Sequence, residues 1–134
     1  MVVSKKTGKA LQTNPSHSRH HALECIPVKN PEVSDEADAN GDIRLIYHVQ
    51  VQPWFQGVLK KITRNRSTVI KRTLQLDALG TSVWQMIDGR KSAGKIIDEF
   101  QAEHQLNRRE AEISVTAFFK ELGKRGLLAM REEK

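Results

Sequence analysis

The clearest pattern along the chain is an alternation. Ile43, Leu45, Tyr47, Val49 and Val51 fall on one side of an extended segment. Arg44, His48, Gln50 and Gln52 fall on the other, with Ile46 the exception. A period of two predicts a half-buried strand, and Pro53, which has no N–H to give a ladder, ends it. A second strand is expected over 69–76, with Ile70, Leu74 and Leu76 inward and Lys71, Thr73 and Gln75 outward. Upstream, Pro27 and Pro31 hold residues 27–33 extended. Asp38-Ala39-Asn40-Gly41-Asp42 then reads as a turn, because Asn-Gly readily takes positive φ.

After Leu76 the period lengthens to that of a helix. Asp77 caps a first helix carrying Leu79, Val83, Met86 and Ile87, with Trp84 beside them, and Asp88-Gly89 ends it. Ser92 caps a second helix with Ala93, Ile96, Ile97 and Phe100 at i, i+3, i+4 and i+7. Asn107 and Glu110 form a capping box for a third helix. Its apolar face is Ala111, Val115, Phe118, Phe119 and Leu122. Gly126 closes that helix, and Leu127 to Met130 read as a short strand returning to the sheet. The expected fold is α+β and winged helix-turn-helix-like: a small N-terminal antiparallel sheet, three helices and a short C-terminal strand.

Two segments fall outside this pattern. Residues 1–26 are polar, with no apolar period, and are expected to form a disordered basic arm ahead of a domain at 27–130, with 131–134 as a tail. Between the two strands, Trp54, Phe55, Val58, Leu59 and Ile62 share a helical face with Lys60, Lys61 and Arg64 elsewhere on the wheel. This basic amphipathic insertion, 53–67, reads either as a cap packed on the domain or as a membrane-surface helix. The cap is favoured, because so short a helix binds membranes weakly.

Charge changes the picture only when it is divided. The 134 residues carry 22 Lys+Arg and 16 Asp+Glu, a net +6. Residues 1–30 hold five bases and one acid, residues 31–70 five of each, and residues 71–134 twelve bases and ten acids. Between Ile43 and Leu76 there is no acid, yet Arg44, Lys60, Lys61, Arg64, Arg66, Lys71 and Arg72 lie there. The third helix, the one in the recognition position of a DNA-reading winged helix, has five bases against three acids over 108–125. Nucleic-acid binding is therefore the alternative function rather than the first.

Candidate chemistry is sparse. His17, His20, His21 and Cys25 cluster in the arm, but their spacing matches no zinc motif, so no metal is expected. No phosphate loop or nucleophile motif is present, which points away from an enzyme and from a cofactor of its own. One cysteine and no secretory signal indicate a cytoplasmic chain.

Leu76-Asp77-Ala78-Leu79-Gly80-Thr81-Ser82-Val83-Trp84-Gln85-Met86-Ile87-Asp88-Gly89-Arg90-Lys91-Ser92 resembles the coenzyme PQQ synthesis protein D (PqqD-like) family. Ala93 to Phe100, and Phe118 through Gly126 to Leu128, continue the likeness, and Pro27 to Pro31 resemble the extended start of the family domain. The resemblance spans roughly 27–130 and is best over 74–130. It implies a peptide-binding adaptor that takes the leader of a ribosomally made precursor peptide as an added strand. The adaptor presents that peptide to a modifying enzyme, often of the radical SAM type, in PQQ or related biosynthesis.

An exposed strand edge supplies sequence-blind ladder bonds, so selectivity must come from side chains. The expected groove lies between the 70–76 strand and the second face of the third helix. Arg72 and Arg109 would meet acidic residues of the client, with Lys120 also on the helix face. Leu74, Ile113 and Ala117 would hold its apolar residues, Ile113 and Ala117 being equally compatible with the edge of the core, and Leu76 and Thr116 are further candidates for peptide binding. An open edge also invites a homodimer.

Overall fold

The computed structural model describes residues 15–51 and 68–132. The expectations for residues 1–14 and for the 53–67 insertion lie outside the described residues. The elements are α1 (Pro15–Glu24), β1 (Ile26–Lys29), β2 (Ser34–Ala37), β3 (Ile43–Val51), β4 (Thr68–Gln75), α2 (Ala78–Met86), α3 (Ala93–His104), α4 (Arg108–Lys124) and β5 (Leu128–Arg131). They form an α+β fold that divides into two compact units. One is residues 30–84, and the other joins the segments on either side of it.

In the 30–84 unit, β2, β3 and β4 make an antiparallel sheet in that order. The alternation predicted for β3 holds: Ile43, Leu45 and Tyr47 are buried, whereas His48 and Gln50 are exposed. Opposite residues in an antiparallel ladder share a face. The register therefore puts Leu74, Arg72 and Ile70 with Leu45, Tyr47 and Val49. Asp35 and Ala37 of β2 lie opposite Leu45 and Ile43 on that face. The turn between β2 and β3 is held by Asp38, whose Oδ1 accepts from Asn40 N at 2.8 Å and Asp42 N at 3.0 Å. Gly41 there takes φ +87°, the left-handed region that glycine enters without strain.

Asp77 caps α2 as predicted, its Oδ1 accepting from Gly80 N at 2.7 Å. The buried face of the helix differs from the prediction. Leu79 is 44% exposed. Val83 and Ile87 of the predicted face are buried, as is Trp84, and Gly80, Thr81 and Ser82 are buried with them. Thr81 is on that side because its hydroxyl accepts the buried Ile43 N–H at 2.9 Å, a bond that ties the helix to β3. Ile70, expected inward, is 38% exposed, and Val69 is 59% exposed.

The other unit is built on α3 and α4, with Ile96, Ile97, Phe100, Ala111, Val115 and Leu122 all at 0% exposure. Ser92 caps α3 by accepting from Lys95 N at 3.1 Å. Asn107 and Glu110 make the predicted capping box reciprocally. Gly126, φ +77°, closes α4.

Two expectations are corrected in this unit. Residues 15–24, read as part of a disordered arm, form α1. The helix lacks an amphipathic period, so its order comes from tertiary contacts that pattern cannot show. Leu23 packs on α3 where Gly94 has no side chain: a Cβ there would meet Leu23 O at 3.3 Å and Leu23 Cβ at 3.6 Å. The chain after α1 is fixed by Ala93 N donating to Cys25 O at 2.8 Å. The C-terminal strand does not return to the three-stranded sheet. β5 pairs antiparallel with β1, from Ile26 opposite Arg131 to Lys29 opposite Leu128. A turn at Asn30, whose Oδ1 accepts Glu32 N at 2.8 Å, separates β1 from β2 and leaves it for a distant partner.

Candidate functional site

The eight residues the sequence singles out fall on both units. Arg72 and Leu74 lie on β4, with Leu76 just after it. Arg109, Ile113, Thr116, Ala117 and Lys120 lie on α4.

β4 is one edge of its sheet and has no strand beyond it among the described residues. Arg72 is exposed and Leu74 half-buried. Leu76 is different: it is 5% exposed, and its N–H is given to Ile43 O at 2.8 Å. Leu76 is therefore core and not a contact for a ligand. The two edges of the sheet differ in charge. β4 carries Lys71 and Arg72 and no acid. β2, the opposite edge, is Ser34-Asp35-Glu36-Ala37, exposed throughout and flanked by Glu32 and Asp38. Acidic side chains on an edge discourage a further strand, above all an acidic one. Of the two edges, β4 is the one without acidic side chains.

On α4 the core stripe and the second face separate cleanly. Ala111, Val115, Phe119 and Leu122 are buried. Ile113 is 54% exposed, and Thr116, Ala117 and Lys120 are exposed too. Ile113 and Ala117 thus do not complete the core. The Thr116 hydroxyl is used within the helix, donating to Glu112 O at 2.7 Å. Arg109, Ile113 and Thr116 line an open groove of about 360 Å³ whose remaining wall is Ala22, Leu23 and Glu112. Ala117 and Lys120 are not part of it. Composition did not reveal the α1 wall: Leu23 is one apolar residue in a polar segment.

Charge on α4 is partly committed. Arg108 pairs with Asp98, and Arg125 with Glu121 at 2.9 Å. Arg109, Lys120 and Lys124 have no ion pair among the described residues. At the turn before α3, Asp88 Oδ1 accepts from Lys91 N and Arg90 N, both at 2.8 Å. Those backbone bonds, Lys91's first, hold its carboxyl below the ordinary value of 3.8. The Glu99 carboxylate, 2.8 Å from Lys91 Nζ, pushes the Lys91 ammonium above 10.5. Both groups brace the turn and are not arranged for proton transfer. Among the described residues no cluster of three His, Cys, Asp or Glu could hold a metal, and no helix is long and apolar enough to cross a membrane.

The family model described as coenzyme PQQ synthesis protein D matches residues 64–128. Over these residues, just under half of the chain, the sequence is similar to the PqqD family. No curated protein and no solved structure matches the chain. The PqqD match takes in β4, α2, α3, α4 and the first residue of β5, and so contains the seven exposed or half-buried residues assigned above. It leaves out α1 and the first three strands.

Proposed function

We propose that this PqqD-like chain is a peptide-binding adaptor. It takes the leader of a ribosomally made precursor peptide as a strand on β4 and presents it to a modifying enzyme of the radical SAM type. The observation that carries the reading is the asymmetry of the three-stranded sheet: β4 is an acid-free edge with Arg72 and no strand beyond it among the described residues, and β2 is an acidic one. Ladder bonds to β4 supply affinity without regard to sequence, and Arg72 and Leu74 add selection for acidic and apolar side chains. On α4, Arg109, Ile113, Thr116, Ala117 and Lys120 offer a similar mixture of basic and apolar groups. The adaptor needs no cofactor and performs no chemistry itself.

A direct test is reconstitution with a precursor peptide and a radical SAM enzyme. Modification should fall when Arg72→Glu is introduced and should recover at raised adaptor concentration, as a binding defect does. Modification that proceeds equally without the adaptor would overturn the reading.

A further inference from the structure

The groove on α4 has a wall that the PqqD match does not contain. α1 lies wholly before residue 64, yet its Ala22 and Leu23 face Arg109, Glu112, Ile113 and Thr116 across the 360 Å³ opening. Three contacts hold the C-terminal end of α1 and the residue after it. Leu23 rests on the bare backbone of Gly94, Cys25 O accepts Ala93 N, and the His21 ring meets the Glu132 carboxylate at 3.2 Å. The wall is thus built into the unit by contacts with α3 and with the residue after β5.

The lining is chemically specific. Leu23, Ala22 and Ile113 make an apolar slot, and Ile113 leaves more than half of its surface in water at 54% exposure. Arg109 brings a guanidinium with no ion pair among the described residues. Glu112 has interactions of its own. An apolar side chain would be drawn into the slot by the area it removes from water. A carboxylate beside it would pair with Arg109, whose planar fork matches that group.

We propose that α1 and α4 form a selectivity pocket for one leucine-like side chain of the bound peptide, with Arg109 pairing to an adjacent acidic residue. The proposal rests on the peptide-adaptor reading and adds to it a specificity element outside the family match. A length of chain ahead of the PqqD region thereby decides which leader is accepted.

The test uses the intact chain and, as probe, a fluorescein-labelled peptide selected on it from a displayed random library. Fluorescence anisotropy gives the affinity. Leu23→Ser and Ile113→Ser should each weaken binding about five- to tenfold, and the double variant by less than their product, since both touch one ligand side chain. Gly94→Val, which alters no lining residue, should displace Leu23 and weaken binding similarly. Circular dichroism checks that each variant is folded. Replacing the probe's leucine-like residue with serine should abolish the difference between the variants and the wild type.

Unchanged affinity in Leu23→Ser and Gly94→Val, with binding still lost in Arg72→Glu, would overturn the pocket and leave the adaptor reading standing. Failure to select any peptide on the wild-type chain would overturn the adaptor reading and the pocket with it. Variants that alter self-association but not peptide affinity would assign the groove to a second copy of the chain and overturn the proposal.

Discussion

The indole Nε1 of Trp84 donates to Asp35 Oδ2 at 2.8 Å. This one bond explains two oddities of the 30–84 unit. Asp35 is an acid on the face of β2 that lies with Leu45, and Trp84 is a large side chain only 1% exposed. The carboxylate satisfies the hydrogen-bonding need of a buried indole N–H. Together with the bond from Ile43 N to Thr81 Oγ1, it fastens α2 to the sheet at two points.

Trp84→Phe keeps most of the apolar bulk and removes the donor. It should lower stability by about 1.5–3 kcal/mol, the range for a hydrogen bond to a charged group. Asp35→Asn retains an acceptor and should cost less. Urea unfolding followed by circular dichroism checks the order of the two, read from midpoints at unchanged slope.

The edge charges make a second prediction. Peptide affinity should fall with salt, and reversing Lys71 and Arg72 to Glu should weaken it by an order of magnitude or so while removing most of the salt dependence. Glu36→Lys on β2 should leave affinity for the same peptide within about twofold, because that edge is not used. Anisotropy titrations at two ionic strengths measure both.

The turn before α3 predicts a pH dependence. Asp88 is held below 3.8 in the folded chain, so the stability it contributes is present above that value and is lost as pH falls through the lower folded value. Asp88→Asn should flatten part of the acid limb of a Tm against pH curve. Lys91 is raised above 10.5, so its contribution is present below that value and is lost as pH rises through the higher one. Lys91→Met should flatten the alkaline limb, modestly, because the pair with Glu99 is about one-third exposed on each side.

The cap of α4 predicts a fourth effect. Asn107 Oδ1 accepts Glu110 N at 2.8 Å, and Asn107 N donates to Glu110 Oε1 at 3.2 Å. Asn107→Ala removes the side-chain half of the box and should cost about 1 kcal/mol. Glu110→Ala should cost less, since it leaves the Asn107 cap in place. Hydrogen exchange of the first-turn amides of α4 should rise in both.

What could be read from the chain was local. Ser92, Asn107 with Glu110, and Gly126 act within a few residues of themselves, and each does what its type and spacing require. The alternation at Ile43, Leu45 and Tyr47 likewise needs only one buried face. What could not be read depended on partners far along the chain. α1 is ordered by Gly94 and Ala93 rather than by a period of its own. β5 finds β1, about a hundred residues earlier in sequence. Leu79 loses the buried face of α2 to Thr81 because the Ile43 N–H needs an acceptor. In the candidate site, burial sorts residues that composition left equal. Ile113 and Ala117 are surface, whereas Leu76, assigned to the ligand by pattern, is core. The Ala22–Leu23 wall has no sequence signal beyond a single leucine in a polar stretch.

An extended peptide is proposed to add to β4. Backbone amide hydrogen exchange on the intact chain, with and without a saturating acidic peptide selected on it, tests that most directly. New protection is expected within residues 68–75, where amides gain a ladder partner. Saturating binding that leaves 68–75 unchanged, with new protection over 34–37 instead, would contradict it.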